Sequence, residues 1–377
     1  MAEISLGGAG SDTIYAQQIN NFTGELFKVG GQRTPLLSSV GGLNGGKVLN
    51  STYWQVQVED NAIINSEPDK GQEGSTPTEY LGRDRAAFTH VTQIFHKGVQ
   101  MTYTALASTG NQNPFTLSAA ITNQSDGDGT TTAGTQQGLF GGNPINDEFA
   151  LQLEKALEKV AREVEWFAFN GSFSDGANTT PGDGTREMWG IDYWVSLNKN
   201  ANNTVAASAN PIGGNCFYND TAGDGTGDAQ VLSFDAIAGA MKRLYDAHAP
   251  LKQPVLCVSP KQLLDLNTEL LQGNVGITGA ILPRDRSVAG IDVDTVVTPF
   301  GSIGMMVIDP DIMPSGSAFI IDLAYIQPVF TNIPGFGTVF VRDLDQDANA
   351  RIGKAVYMEM GFEFGPPSYH CKIQAVA

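Results

Sequence analysis

NDEFALQLEKALEKVAREVEWFAF, residues 146–169, is the one long stretch of this chain whose apolar residues recur cleanly at helical spacing. Phe149, Leu153, Ala156, Leu157, Val160, Val164 and Phe167 follow the i, i+3, i+4, i+7 rule and form one stripe. That spacing predicts a helix packed along one side. Asn146 is placed to cap it and Gly171 to end it. Asp147 and Glu148 put negative charge in the first turn, at the positive end of the helix dipole. The outward face carries Glu154, Lys155, Glu158, Lys159, Arg162, Glu163 and Glu165, with Glu158 four residues before Arg162 in the favourable ion-pair order. At 1.5 Å per residue the helix is roughly 36 Å long. The expectation is that Phe149, Leu153, Leu157, Val160 and Val164 hold it to its own body, leaving Glu154, Glu158 and Arg162 for neighbours.

Moving upstream, residues 106–145 are a Ser/Thr/Asn/Gln/Gly tract centred on SDGDGTTTAGT. Patternless links beyond about 12–15 residues are uncommon inside a domain, so this reads as an inserted surface loop. Before it, residues 52–59 and 88–103 alternate polar with aromatic or aliphatic side chains and predict half-buried strands. Residues 60–85, between them, are charged and punctuated by Pro68, Gly71, Gly74, Pro77 and Gly82. Strand, long polar tip and strand make a hairpin that reaches away from its own body. Pro35 starts a small apolar plug at residues 34–41. Residues 1–33 read as an extended Gly-rich arm with a short helix around 14–27.

Downstream, a second Gly-rich link at 172–185 leads into Met188, Trp189, Ile191, Tyr193 and Trp194. From about residue 195 helices and strands alternate. Ser233 caps a helix at 234–247, residues 254–258 form a short buried strand, and Ser259 with Pro260 opens a helix at 261–271. Strands are expected at 291–297, 304–308, 318–321 and 326–330, completing an α/β unit of about 140 residues. Residues 355–364 and 369–376 alternate again, as strands returning to the earlier layer.

A chain of 377 residues with 41% hydrophobic content has room for two or three folded domains. Its formal charge of −18 argues against nucleic acid as a surface partner, since phosphate recognition runs on Lys and Arg clusters. Cys216, Cys257 and Cys371 are odd in number and far apart, which predicts buried inert thiols rather than disulfides or a metal site. The first twelve residues lack the basic start and apolar run of a signal peptide, and no apolar run is long enough to span a bilayer. A soluble protein made in a cytoplasm is expected.

The inventory of chemistry is thin. His90, His96, His248 and His370 show no HExxH spacing and no pairing with cysteine. His90 and His96 share a strand face, but read as ordinary strand histidines. Residues 343–347 begin like a calcium loop, yet Ala348 stands where the turn needs Gly and Lys354 where the bidentate Glu belongs. The Asp-Gly loops at 126–129, 183–184 and 224–225 are explained by turn chemistry. Neither a nucleophile elbow nor a phosphate loop occurs. An enzyme is disfavoured and no cofactor is implied. The alternative reading is an acidic, calcium-binding surface or adhesion protein; a hydrolase built on Asp and Glu lacks a nameable pair.

An arm, a protruding hairpin, one long charged helix, an α/β unit and returning strands make little sense for a monomer. The set resembles the major capsid proteins of tailed bacteriophages with the Hong Kong 97-type fold, SU10-like branch. The resemblance is carried by Thr34-Pro35-Leu36-Leu37, Tyr53-Trp54, residues 91–95, the helix from Glu148 to Trp166, residues 258–262, Thr298-Pro299-Phe300-Gly301 and the 343–364 tail. It implies an α+β fold with an N-arm at 1–47, an E-loop at 48–105, the insertion at 106–145, and a peripheral domain at 146–194 with a spine helix. An α/β axial domain at 195–335 and C-terminal strands at 336–377 returning to the peripheral domain complete it. It further implies self-assembly into hexamers and pentamers of an icosahedral shell around double-stranded DNA. Scaffold, portal and decoration proteins are the other implied partners, without a membrane. Thr34, Pro35, Lys70, Arg83, Arg85, Glu154, Glu158 and Arg162 are the candidate assembly contacts. Arg83 and Arg85 would meet acidic residues of the adjacent subunit. Some relatives cross-link Lys to Asn through a Glu; Lys70 is the lysine placed for that role, and no partner motif is identifiable.

Overall fold

The computed structural model describes residues 33–43, 45–59, 73, 76, 85–104, 148–176, 185–196, 215–219, 229–271, 281–288, 291–344, 350–374 and 376. The expected helix at 14–27, Lys70, Arg83, the insertion at 106–145 and the three Asp-Gly loops lie outside the described residues, as does the side chain of Arg85. The chain forms two units. The smaller comprises Met1–Gly30, Gln100–Gln152 and Gln346–Ile352; the larger comprises Gly31–Val99, Leu153–Asp345 and Gly353–Ala377. Within the smaller unit the Tyr103 amide donates to the Ala350 carbonyl at 3.2 Å.

In the larger unit a seven-stranded mixed sheet runs in the order β7 (Asn215–Tyr218), β16 (Cys371–Gln374), β12 (Ser317–Asp322), β8 (Pro254–Val258), β11 (Gly301–Val307), β10 (Ile291–Thr298) and β9 (Ile281–Val288). The central strands β8 and β12 are buried along nearly their whole length, with apolar interiors between Ser317 and Asp322 in β12, because both faces of the sheet are covered. Helix α4 (Phe234–Asp246) packs on β7 and β16, with Ile237, Ala240, Met241 and Leu244 buried. It starts where expected, the Ser233 hydroxyl accepting the Ala236 amide proton at 3.1 Å. Helix α5 (Pro260–Leu271) opens on a reciprocal capping box. The Ser259 amide donates to Gln262 Oε1 at 2.9 Å and the Gln262 amide to Ser259 Oγ at 3.3 Å. Gln262 Nε2 also donates to the Ser317 carbonyl at 3.1 Å, tying the cap to β12.

A five-stranded sheet holds β1 (Lys47–Leu49), β13 (Ile326–Thr331), β15 (Arg351–Phe364), β14 (Val339–Asp343) and β4 (Gln93–Thr102). Both C-terminal strands form, but they part company. β15 pairs with β13 and β14, which closely precede it, and with β4 from the first third of the chain. β16 departs from the expected return to the earlier layer and slots between β7 and β12 in the seven-stranded sheet. A 3-10 turn at Pro367–Tyr369 lies between β15 and β16. β1 approaches β13 so closely that only glycine fits before it: a Cβ on Gly46 would lie 2.2 Å from the Pro328 carbonyl oxygen, at φ 130°.

Helix α2 (Glu148–Asn170) is the predicted long helix, and one continuous core lies against it through Val160, Val164, Ala168 and Phe169, with Leu153, Ala156, Ala161 and Phe167 packed at its margin. Gly171 follows, as expected, but for closeness rather than a left-handed turn. A Cβ there would sit 2.4 Å from the Met188 carbonyl oxygen. Two expectations on α2 are corrected. Leu157 is 40% exposed, and Glu165, assigned to the outward face, is fully buried. The core reaches along α2 as far as Leu153 and Ala156 but leaves Leu157 largely uncovered. Toward the C-terminal end the core wraps farther round, and Glu165 falls inside. Cys216, Cys257 and Cys371 are buried and form no disulfide.

Candidate functional site

The hairpin of β2 (Tyr53–Glu59) and β3 (Arg85–Val91) pairs from Tyr53↔Val91 to Glu59↔Arg85. A two-stranded ribbon is marginal alone, so its root must be held. Aromatic residues do this. His90 stacks on Trp54, centroids 5.4 Å apart at 14°, and lies 4.8 Å from Trp194 on its other side. Phe88 meets the Trp194 ring edge-on at 5.2 Å. Trp189, on β6 (Glu187–Trp189), donates its Nε1 proton to the Thr89 carbonyl at 2.9 Å. Trp194, on the short helix α3 (Ile191–Val195), donates to the Gly365 carbonyl at 2.9 Å. Gly361 of β15 leaves room for this root: a Cβ there would stand 2.9 Å from the Trp54 ring and 2.6 Å from the Val91 carbonyl oxygen. Burial lowers the His90 pKa to about 4, against a weaker upward pull from the Phe362 backbone. The ring is therefore neutral at pH 7 and packs as one member of an aromatic cluster.

A second junction joins the segment of Thr34 and Pro35 to α2. Helix α1 (Pro35–Ser39) begins at Pro35, whose missing N–H suits a first helical position. Its Leu36 and Leu37 are buried in the core. The Leu36 and Leu37 amides donate to Glu165 Oε1 and Oε2 at 2.8 and 2.7 Å. First-turn amides have no acceptor within their own helix, and the Glu165 carboxyl supplies one. Burial raises its pKa to about 7, partly offset by these two hydrogen bonds.

The candidate contact residues separate in space. Pro35 is buried, and the Thr34 carbonyl accepts the Ser38 amide and hydroxyl protons, so both belong to the junction just described. Glu154 is exposed on α2. Glu158 and Arg162 are half-buried and pair at 3.4 Å, the i, i+4 contact expected. Beside them Lys97 of β4 meets Glu163 at 2.7 Å. Arg85 lies at the end of β3 opposite Glu59. Periodicity missed Glu165, Trp189 and Trp194. A signal for Glu165 was available: Val164, Phe167, Ala168 and Phe169 leave almost no polar arc in the last two turns. Among the described residues no cluster of His, Cys, Asp and Glu fit to hold a metal occurs, and no helix is long and apolar enough to cross a membrane.

Residues 8–377 match the model of the SU10 major capsid protein family. The chain belongs to that family. Its role is that of a structural, capsid-forming protein, on a mixed α+β fold of the Hong Kong 97 type. The fold is similar to that in the cyanophage A-1(L) capsid asymmetric unit, with TM-score 0.59 at 10% identity, covering 95% of this chain and 97% of the other. It is also similar to the capsid subunit of a native GTA particle, with TM-score 0.51 at 15% identity and coverage of 99% and 100%. No curated protein matches the chain in sequence. In this chain the aromatic root joins the β2–β3 ribbon, and the Glu165 junction the segment 34–40, to the core of the larger unit.

Proposed function

We propose that this chain is the major head protein of a tailed phage, self-assembling into hexamers and pentamers of an icosahedral shell that encloses double-stranded DNA. The observation that carries the reading is the family match over residues 8–377. In this scheme residues 1–47 are the N-arm, 48–105 the E-loop and 146–194 the peripheral domain with α2 as its spine. Residues 195–335 form the axial domain around the capsomer axis and 336–377 supply the C-terminal strands. The exposed side of α2 then faces neighbours: Glu154, Glu158 and Arg162, together with Leu157 and Trp166, each 40% exposed. Lys70, Arg83 and Arg85 reach an adjacent subunit from the hairpin. Charge pairs of this kind at an interface rim set register more than affinity.

The shell gains stability from many weak, repeated contacts. Acidic residues on an inner wall would keep packaged DNA from adhering, in line with the −18 formal charge. Scaffold and portal proteins are the further partners, the site of assembly is the host cytoplasm and the product is the virion. Negative-stain microscopy and light scattering of the expressed chain, alone and with a co-expressed scaffold, test this. Rings or shells of megadalton mass are expected, and monomers under every condition tried would overturn it.

A further inference from the structure

Glu359 and Lys372, also buried, pair with Arg186 and Asp192, whereas Glu165 has no opposite charge facing it among the described residues. Helix α1, Pro-Leu-Leu-Ser-Ser, carries no charge. Strand β8 contributes one titratable group, the Cys257 thiol, whose pKa is pushed up by burial and by the Glu165 charge. Strand β11, which touches α1, has none in its sequence Gly-Ser-Ile-Gly-Met-Met-Val. On α2 itself, Arg162 is half-buried and turned toward Glu158. The carboxyl instead takes the Leu36 and Leu37 amides, across 129 and 128 residues of chain.

We propose that Glu165 is a pH-responsive latch on the segment 34–40. When its carboxyl is neutral, α1 stays seated in the core. When it ionises, a charge without a counterion in an apolar site drives the segment to lift and admit water. Two effects compete, since ionisation strengthens both N–H···O bonds while burial penalises the charge. Burial is the larger, and the seated group ionises near 7 instead of 4.5. A folded pKa above the free value means that seating is fully favoured below about pH 4.5 and is lost as pH rises through about 7. On the C-terminal side of the segment β1 stays paired with β13, Lys47↔Val329 to Leu49↔Thr331. The latch thus controls the seating of residues 34–40 on the core of the larger unit.

Hydrogen exchange of the Leu36 and Leu37 amides in the full-length chain, corrected for the intrinsic effect of pH, tests the latch. Protection is expected to fall by about tenfold or more between about pH 5.5 and 8.5, with the fall confined to residues 34–40. Glu165→Gln accepts one of the two protons and cannot ionise, so its protection is lower but independent of pH. A flat wild-type profile, a fall shared equally by the α2 and β8 amides, or a parallel fall in Glu165→Gln would each overturn the proposal. Should Glu165→Gln not fold, the wild-type profile decides by itself.

Discussion

His90 lies between the Trp54 and Trp194 rings, and its burial gives the subunit an acid limit. A histidine whose folded pKa is lowered favours folding when neutral. Its contribution is complete above its ordinary value of 6.5 and is lost as pH falls through about 4. The shift of 6.5 − 4 corresponds to ~3 kcal/mol. His370 acts in the same sense: it is buried, its pKa is lowered to about 3, and its Nδ1 accepts the Asp322 amide proton at 3.2 Å. Replacing His90 with Phe keeps a flat ring in the stack and removes the titrating group. The acid-unfolding midpoint of His90→Phe, followed by tryptophan fluorescence, is expected to move to lower pH, with His370 responsible for the remaining acid limb. Superimposable acid profiles for wild type and variant would refute this. Glu165 has the opposite pH sense, since a raised carboxyl pKa favours the folded form toward acid.

At the scale of elements, α2 shows that an apolar stripe predicts which face packs but not how much of each turn the core covers. Val160 and Val164 are fully buried and Leu153 and Ala156 pack against the core, while Leu157 is 40% exposed. How much of each turn is covered depends on what the sheets and α1 place beneath, and no local pattern encodes that. Leu157→Asp is therefore expected to change the melting free energy by no more than about 1 kcal/mol, as at an exposed position. Val164→Asp buries a charge with no partner and is expected to cost more than about 4 kcal/mol, enough to abolish a cooperative melt. Circular-dichroism melts of the two separate these outcomes, and equal behaviour would mean that the division of α2 into covered and uncovered positions is wrong. The caps were far more legible. Ser233 and the Ser259–Gln262 box act through neighbours three residues away, so their chemistry is complete within the sequence.

For the whole molecule, the capsid reading turns surface charge into an assembly variable. Glu158 and Arg162 pair along α2 with side chains roughly one-third exposed. Glu158→Lys places two like charges at i, i+4, which costs the isolated subunit only about 0.5 kcal/mol. The same reversal recurs at every copy in a shell. The expected outcome is a subunit with a near-native melt but a lower light-scattering amplitude under assembly conditions. Wild-type assembly by Glu158→Lys would remove this part of α2 from the interface. The architecture follows the same logic: a hairpin rooted by Trp54, His90 and Trp194, and a segment held by Glu165, both attach to the body through side chains distant in sequence.

By itself the sequence determined the long helix from its stripe, the capped helices from Ser233 and Ser259, and the strands that show period-two alternation or short apolar runs, and through the order of these elements the family. These properties depend on residues a few positions apart, within reach of periodicity and capping. The tertiary structure alone decided that strands form at 47–49, 215–218, 281–288 and 339–343, that β16 joins β7 and β12 instead of following β15, that Leu157 is left uncovered, and that Glu165 turns inward to the amides of Leu36 and Leu37. Each of these is set by pairing or contact between separate segments or by the extent of a shared core, and neither leaves a mark in the local spacing of residues.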